Sequence, residues 1–596
     1  MVAVASRRQQ QGKRAALWTF CAVCSFWSGE ALAEESVEVE VSGLAEDLEK
    51  NVLAYLSIAD LGKEGAEASQ PDTENNVRRL HGAARTEIER ALQPFGYYEP
   101  AIRSTLQRAD DGWLARYDVE AGPPTVVDAV EIRAVGDGAE DPSVGAALAS
   151  IEIAPGQQVQ HAKYEAAKQL LFDASRDAGY IDAIYRQAQI RVRRAERKAD
   201  IQLVLDTGPK YFFGDIQIEQ DILNPTFVER HVTIEPGEPF DSHRLIDLQL
   251  TLGDSGYFEE VTVDVRRDEA VDRRVPIVVH TTPRATQEYT VGVGAGTDTG
   301  PRLRFGTELR RLNRRGHRFN ADVRVSGIAT TGAAEYQIPV KNVATDTLRF
   351  RGSIGTREIG DLDTEQVSLG TSLNDVWHGF QRRLYFTTER ERWTENEQEL
   401  TETVLYPGIQ ITSLTILDAE SLLTRKGYSW TTDVRGGSES LNSSASFLRL
   451  HVTGNFVVPL AERIRFLFRA EYGAIDVDDL SRLPPSQRFF AGGDRSVRGY
   501  RYEKLGPTDT TGAVAGGRYL VAANAEVDYL FFRNYGAAVF YDAGNAANEP
   551  WPDVKRSVGI GMRWRSPVGM LRIDIAHPQD DPDTDYRLHL SIGSDL

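Results

Sequence analysis

Phe319-Asn-Ala-Asp-Val-Arg-Val-Ser326 decides the fold, because Phe319, Ala321, Val323 and Val325 fall on one side of an extended chain and Asn320, Asp322, Arg324 and Ser326 on the other. Successive strand residues point to opposite faces, so this octet has one oily face and one charged face. A soluble β-sandwich buries its inner faces and has no use for arginine there in strand after strand. A membrane barrel needs this division, with lipid against the apolar face and a wet lumen against the polar one. The pattern recurs where Ile464, Phe466, Phe468 and Ala470 oppose Arg463, Arg465 and Arg469.

Reading outward from that octet, about sixteen alternating segments follow one another with turn residues between them. They begin near Gln287, Pro301, Arg318, Gly332, Thr347, Thr364, Arg382, Thr401, Gly427, Ser446, Arg463, Arg518, Gly536, Arg556, Gly569 and Asp585. An even count brings the carboxyl end back to the side on which the strands began. Elsewhere no apolar run reaches the roughly 18 residues of a spanning helix. Any spanning is therefore by strands, and a closed barrel is the non-helical way to satisfy every backbone hydrogen bond in lipid.

At the amino end, Arg7, Arg8, Lys13 and Arg14 precede an apolar run from Ala15 to Trp27, and Ala31-Leu32-Ala33 follows. A basic start, a short apolar stretch and small residues at the end read as a secretory signal cut after Ala33. The run is too short for a membrane anchor. Both cysteines, Cys21 and Cys24, fall inside this segment, so the mature chain is expected to carry no disulfide or thiolate chemistry. The formal charge of the chain is -20, and losing four basic residues and Glu30 takes it to -23. That balance excludes nucleic acid as the expected partner.

Between Val37 and Pro283 one pattern occurs three times: an amphipathic helix, Gly-Tyr, a strand, a polar turn and a second strand ending near proline. The copies are marked by Gly96-Tyr97, Gly179-Tyr180 and Gly256-Tyr257, and they close at Gly122-Pro123, Gly208-Pro209 and Thr282-Pro283. The spacing of about 80 residues suits a small domain. Glycine ends each helix in a conformation other residues avoid, and the tyrosine packs back as the chain turns into a strand. In the helix from Ala162 to Ala178, Tyr164, Ala167, Leu170, Leu171 and Ala174 form the expected apolar stripe. Short strands at Val37 to Val41, Val126 to Ile132 and Phe213 to Ile218 precede the helices, which makes each copy a β-α-α-β-β module. Exposed strand edges on such modules suit the capture of extended peptides.

The longest connection, 476–517, carries Phe489-Phe-Ala-Gly-Gly-Asp-Arg-Ser-Val-Arg-Gly-Tyr500. Glycines loosen this segment around one cation, Arg498, set between Val497 and Gly499-Tyr500. Downstream, Phe540, Asp542 and Gly544 share the inward face of one strand, and Asp574 lies inward on another, with Arg563, Arg565 and Arg572 giving the wall both signs of charge. On the residues alone, Arg498 either stays in solvent or tucks inward to pair bidentately with Asp542 near Phe540 and Asp574.

The first barrel strand, Tyr289 to Gly296, places Gly292, Gly294 and Gly296 on one face, which weakens a strand. Its closing neighbour is the last strand, where Tyr586, Leu588, Leu590 and Ile592 alternate with Arg587, His589 and Ser591. A seam that opens sideways to template client strands is the expectation there. The glycines lie in a strand with no helix after them, so they are no phosphate loop. The histidines show no metal spacing and no Ser, His and Asp grouping stands out, so neither enzyme activity nor a metal or other cofactor is expected.

Val497-Arg498-Gly499-Tyr500 resembles the V-R-G-F/Y loop motif of the Omp85 family of outer-membrane assembly and translocation proteins. Phe540, Asp542 and Gly544 match that family's F-x-D-x-G strand, and the three repeats resemble its periplasmic POTRA domains. The resemblance implies three α+β POTRA-type modules (β-α-α-β-β) followed by a 16-stranded antiparallel transmembrane β-barrel. The divisions are 1–33 signal, 34–124, 125–210 and 211–284 modules, and 285–596 barrel. It also implies that Arg498 locks against Asp542.

Five modules would resemble the family's central barrel-assembly group and two its two-partner secretion pores; three resemble the TamA group. Glu-Asp-Leu-Glu-Lys-Asn-Val-Leu-Ala-Tyr-Leu-Ser from Glu46 and Ala-Leu-Gln-Pro-Phe-Gly-Tyr-Tyr-Glu-Pro from Ala91 are similar to that group's first module, and the Leu596 end is similar too. The implied function is non-enzymatic insertion or secretion of autotransporters and other outer-membrane proteins. The implied setting is the Gram-negative outer membrane and its lipid, with the modules in the periplasm and an inner-membrane-anchored TamB-like partner. A two-partner-secretion pore, a general porin and a structural tether are the other readings.

Overall fold

The computed structural model describes residues 36–62, 74–109, 112–420, 423–532, 534–566 and 569–593. The segment read as a signal, with Cys21 and Cys24, and the terminal Leu596 lie outside the described residues.

Three small α+β modules precede a single large sheet. Module 1 contains β1 (Ser36–Ser42), α1 (Glu46–Tyr55), α2 (Glu74–Leu92), β2 (Ala101–Ala109) and β3 (Gly112–Glu120). Module 2 contains β4 (Val126–Val135), α3 (Pro142–Ala149), α4 (His161–Asp177), β5 (Ile184–Arg193) and β6 (Lys198–Asp206). Module 3 contains β7 (Phe212–Glu219), α5 (Pro225–Val228), α6 (Ser242–Asp254), β8 (Phe258–Val265) and β9 (Arg274–Pro283). In each, the last strand is central, parallel to the first and antiparallel to the second.

The helices cover one face of each sheet. On α4 the buried residues are Tyr164, Ala167, Leu171 and Ser175, packed toward Ala199, Ile201, Leu203 and Leu205 of β6. Leu170, expected on that stripe, is exposed instead. At about 100° per residue, Tyr164, Ala167, Leu171 and Ser175 centre on one side of the helix, and Leu170 falls about 100° from that centre. Ser175 takes the fourth position because its hydroxyl donates to the Leu171 carbonyl at 2.8 Å, so no polar atom is stranded.

The Gly-Tyr turns are also the joints between modules. Thr125 N–H donates to the Gly96 carbonyl at 2.9 Å, and Tyr211 N–H to the Gly179 carbonyl at 2.8 Å. Gly179 has φ of 97°, and a Cβ there would lie 2.9 Å from the Tyr211 carbonyl oxygen, so a glycine is what lets the next module approach. Between modules 2 and 3, Arg267 grips Asp182 through Nε and Nη2, both at 2.5 Å, while Tyr211 donates to the same carboxylate at 2.9 Å. Arg273 reaches Asp137 at 2.8 Å.

The sheet of the barrel half runs in chain order through β10 (Gln287–Gly296), β11 (Gly300–Leu309), β12 (Arg318–Ser326), β13 (Ala329–Pro339), β14 (Thr347–Ile359), β15 (Leu362–Trp377), β16 (Phe380–Glu395) and β17 (Gln398–Glu420). It continues through β18 (Leu423–Gly437), β19 (Phe447–Ala461), β20 (Ile464–Val477), β21 (Tyr519–Tyr529), β22 (Tyr535–Ala547), β23 (Lys555–Ser566), β24 (Gly569–Pro578) and β25 (Arg587–Gly593). All fifteen neighbouring pairs are antiparallel. Val293, Leu303, Ile354 and Ile560 stand exposed on the outward face, as a lipid-facing wall requires. The three modules and sixteen strands agree with the architecture expected from the alternation and the repeats.

Module 3 is fastened to the barrel's near end. Asn224 N–H donates to the Arg314 carbonyl at 2.8 Å, and Tyr257 Oη to the Gly316 carbonyl at 2.5 Å. Arg318 donates to the Ser255 carbonyl and lies 4.7 Å from the Tyr257 ring centroid, and Val343 of the next turn joins the module's own core. These contacts hold module 3 beneath β11 to β14, beside the first strand.

Candidate functional site in the inward loop and the seam

The connection between β20 and β21 leaves the end of the barrel away from the modules and turns back into it. Three short bridges shape it, Phe489 with Gly517, Ala491 with Leu505 and Thr508 with Val514. Its base is pinned by Arg488, which pairs bidentately with Glu395 at 3.0 and 2.8 Å and donates to the carbonyls of Leu483 and Ala515. Phe489, Ala491, Val497, Tyr500 and Leu505 pack with Val404, Tyr406, Phe447, Ile475 and Leu520 of the wall, so the loop has a hydrophobic core of its own. Arg449 sits 4.2 Å from the Phe489 ring centroid and donates to the Gln487 carbonyl.

Below that core Arg498 enters a cluster of wall carboxylates. Its Nε and Nη2 donate to the two oxygens of Asp542 at 2.8 and 2.9 Å, and its backbone N–H reaches the same carboxylate at 3.1 Å. Nη1 donates to Glu526 at 2.7 Å and to Asp574 at 3.0 Å. The guanidinium carbon lies 3.4 Å from the Phe540 ring centroid. Arg563, fully buried, completes the cluster by donating to Glu526 at 2.6 Å and Asp574 at 2.5 Å, and Arg465 holds Asp528 at 2.6 Å. A fork of five N–H donors suits this set, and an ammonium would not reach all three carboxylates.

Gly499 follows with φ of 95°, where a Cβ would meet Pro578 N and Ser557 Cβ at 3.2 Å. Tyr500 is buried and its hydroxyl accepts from Asp580 N–H at 3.3 Å. Gly544 lies two residues beyond Asp542 on β22, paired across from Ala522. The structure thus brings Val497, Arg498, Gly499, Tyr500, Phe540, Asp542 and Asp574 into one buried cluster around the loop tip.

Glu526 and Asp528 escaped the sequence reading although period-two alternation from Asn524 places both inward. No motif marks them; they become visible only when β21 is paired with β22. Asp298 and His589, which also touch the loop, had no sequence signal beyond a turn position and an inward parity.

At the seam, β10 and β25 are the two edges of the sheet. Among the described residues their hydrogen bonds are confined to one contact: Thr297 N–H donates to the Leu590 carbonyl at 3.4 Å, and Leu590 N–H to Thr297 Oγ1 at 3.1 Å. Gly292, Gly294 and Gly296 lie on β10, and Leu588 and Leu590 on β25, with Leu588 exposed. Tyr586 stands one residue ahead of β25, in the hairpin, its ring tilted 43° against His577 with 5.3 Å between ring centroids.

Comparison with known proteins agrees with this architecture. Residues 417–596 match the Omp85 superfamily domain, and residues 38–121 match the POTRA domain TamA domain 1. The outer membrane protein assembly factor BamA of Nitratidesulfovibrio vulgaris is 36% identical over 121 residues, covering 19% of this chain and 15% of that protein. A SAM50-like protein of Schizosaccharomyces pombe is 23% identical over 310 residues, covering 45% of this chain and 62% of the relative. The chain thus spans less than two thirds of the length of either. The crystal structure of BamA from Haemophilus ducreyi lacking POTRA domains 1–3 superposes with a TM-score of 0.66 at 16% identity, covering 78% of this chain and 99% of that one, a likeness of fold. Within an architecture of sixteen strands and three β-α-α-β-β modules, residues 417–596 thus match the Omp85 superfamily domain and the first module matches the TamA type of POTRA domain.

Proposed function

We propose that this protein is an assembly and translocation factor of the Gram-negative outer membrane that inserts or secretes autotransporters and other outer-membrane proteins. The observation that carries the reading is the unladdered seam: β10 presents a row of backbone donors and acceptors along an edge that, among the described residues, meets β25 at a single hydrogen-bonded contact. An open strand edge is a template for another strand, and a client hairpin satisfies its own backbone by adding to it. The glycines of β10 lower the cost of bending that edge away from β25. In this reading the modules sit in the periplasm, where they engage a TamB-like inner-membrane-anchored partner and unfolded clients, and the outer wall faces outer-membrane lipid. The protein acts without catalysis; strand exchange at the edge replaces chemistry.

The Arg498 cluster has the role of holding the loop inside the barrel, so that the lumen is plugged while the seam is closed. A general porin needs an open lumen, and a buried, ion-paired loop argues against one. A two-partner-secretion pore would pass a client through the lumen and would need the loop to leave.

The test is client insertion by purified protein in outer-membrane lipid vesicles, with Thr297→Cys and Leu590→Cys placed across the seam. Insertion of a urea-unfolded autotransporter should stop when the pair is oxidised and return on reduction. Full insertion with the pair completely crosslinked would refute the seam reading. Large, steady single-channel conductance that is unchanged by Arg498→Ala would favour the porin.

A further inference from the structure

Both edges of the seam are tied to the loop, at two points five residues apart. Asp298 lies in the turn between β10 and β11, on one side of the seam, and its carboxylate Oδ2 accepts the backbone N–H of Asp494 at 2.7 Å. His589 lies on β25, on the other side, and its Nε2 accepts the backbone N–H of Gly499 at 3.0 Å. Since Nε2 is the acceptor, the ring is neutral with its proton on Nδ1, the nitrogen that faces Asp298 at 3.9 Å. Both side chains are almost wholly buried, at 8% and 2% exposure, so water does not replace the loop's donors.

The loop is gripped beyond these points as well. On the β25 side Arg498 pairs with Asp574 of β24, and Tyr500 accepts from Asp580 in the β24–β25 hairpin. On the far flank, Glu503 and Lys504 pair with Arg357 and Asp361 around β14. Among the described residues no strand ladder joins β10 to β25, and the loop's backbone bridges the two sides instead.

We propose that Asp298 and His589 are positioning residues that make the loop the clasp of the seam, so that loop docking and seam closure are one equilibrium. Opening β10 from β25 requires either Asp494 or Gly499 to give up its acceptor, and withdrawing the loop leaves Thr297 and Leu590, among the described residues, as the hydrogen-bonded closing contact. A buried donor stripped of its acceptor is costly, so the two events occur together. The inference rests on the fold and the loop geometry, and its readouts do not involve clients; its failure would leave the proposed function standing.

Two spin-label measurements on the full chain in lipid test it, with Cys21 and Cys24 replaced by serine. One pair of labels, at Val293→Cys and Leu588→Cys on the outward face, reads the seam distance; a single label at the exposed Arg495→Cys reads loop mobility. Asp298→Ala and His589→Ala should each lengthen the seam distance by about 5 Å, one strand spacing, and mobilise the loop label to the same fraction. Asp298→Asn and His589→Gln, which keep an acceptor, should behave as the parent chain. Seam widening with an immobile loop, a mobile loop with an unchanged seam, alanine variants indistinguishable from the parent, or conservative variants as impaired as the alanines would each overturn the proposal. Should the alanine variants fail to fold, the parent chain crosslinked at Thr297→Cys and Leu590→Cys supplies the same decision. Closing the seam covalently should slow amide exchange at Asp494 and Gly499 at least tenfold, and exchange indifferent to the crosslink would refute the coupling.

Discussion

Truncating Arg498 to alanine should undock the loop while leaving the barrel folded. Three guanidinium groups, Arg498, Arg563 and Arg465, face four carboxylates, Glu526, Asp528, Asp542 and Asp574, all buried. Truncating Arg498 deprives Asp542 of two side-chain hydrogen bonds, leaving it the backbone N–H of residue 498, and leaves Glu526 and Asp574 to Arg563 alone. Breaking one side of a buried pair costs about 3 to 5 kcal/mol, because the remaining charge is neither solvated nor compensated. Taking about 4 kcal/mol, the loop's docking equilibrium weakens by about a thousandfold. Native-state amide exchange reads this directly, since local opening sets protection segment by segment. Peptides covering Phe489 to Leu505 should lose up to three orders of magnitude of protection, while peptides from β14 to β17 keep theirs. Arg498→Lys retains the charge without the fork and should lose about 2 kcal/mol. A less than tenfold change for Arg498→Ala would refute the argument that this cluster holds the loop. Exchanging the charges of residues 498 and 542 is no rescue, because an aspartate at 498 would face Glu526 and Asp574.

Gly499→Ala should destabilise loop docking by about 1 to 3 kcal/mol through its left-handed backbone and the contacts at Pro578 and Ser557, seen as faster exchange of the same peptides without loss of barrel folding. Tyr257→Phe should cost about 1 kcal/mol at the junction of module 3, and Arg318→Ala more because the ring and the Ser255 carbonyl lose their shared cation; spin labels on module 3 and the barrel should report a broader distance distribution. The charge-assisted hydrogen bonds from Arg267 hold Asp182 below the usual carboxylate range. A depressed carboxylate contributes its stability above its ordinary pKa of about 3.9 and loses it as pH falls through the lowered value. The joint of modules 2 and 3 should thus be unchanged from pH 7 to 5 and loosen below about 4, by no more than about 1 kcal/mol since Arg267 is half exposed, and Asp182→Asn should abolish that dependence. Small-angle scattering across that range checks it.

Much of the architecture is legible in local pattern. Alternation such as Phe319 to Ser326 reports which side of a strand meets lipid, because a strand's period is two and the bilayer tolerates no error of parity. The Gly-Tyr spacing reports three modules because each must end a helix and turn. Leu170 shows the limit at one residue: apolar character suggested burial, and helical phase placed it outside.

What the sequence determined by itself was the number of elements, their faces and the loop arginine, all consequences of short-range geometry. Tertiary structure alone decided which charges meet. Arg498 reaches Glu526, Asp542 and Asp574 across 28, 44 and 76 positions of chain, Asp494 reaches Asp298 across 196, and Gly499 reaches His589 across 90. Such partners depend on strand register and on how far the loop descends, which are set by the whole sheet at once. The seam belongs to the same class: whether β10 ladders with β25 depends on closing a ring of sixteen strands, and no local run of residues carries that information.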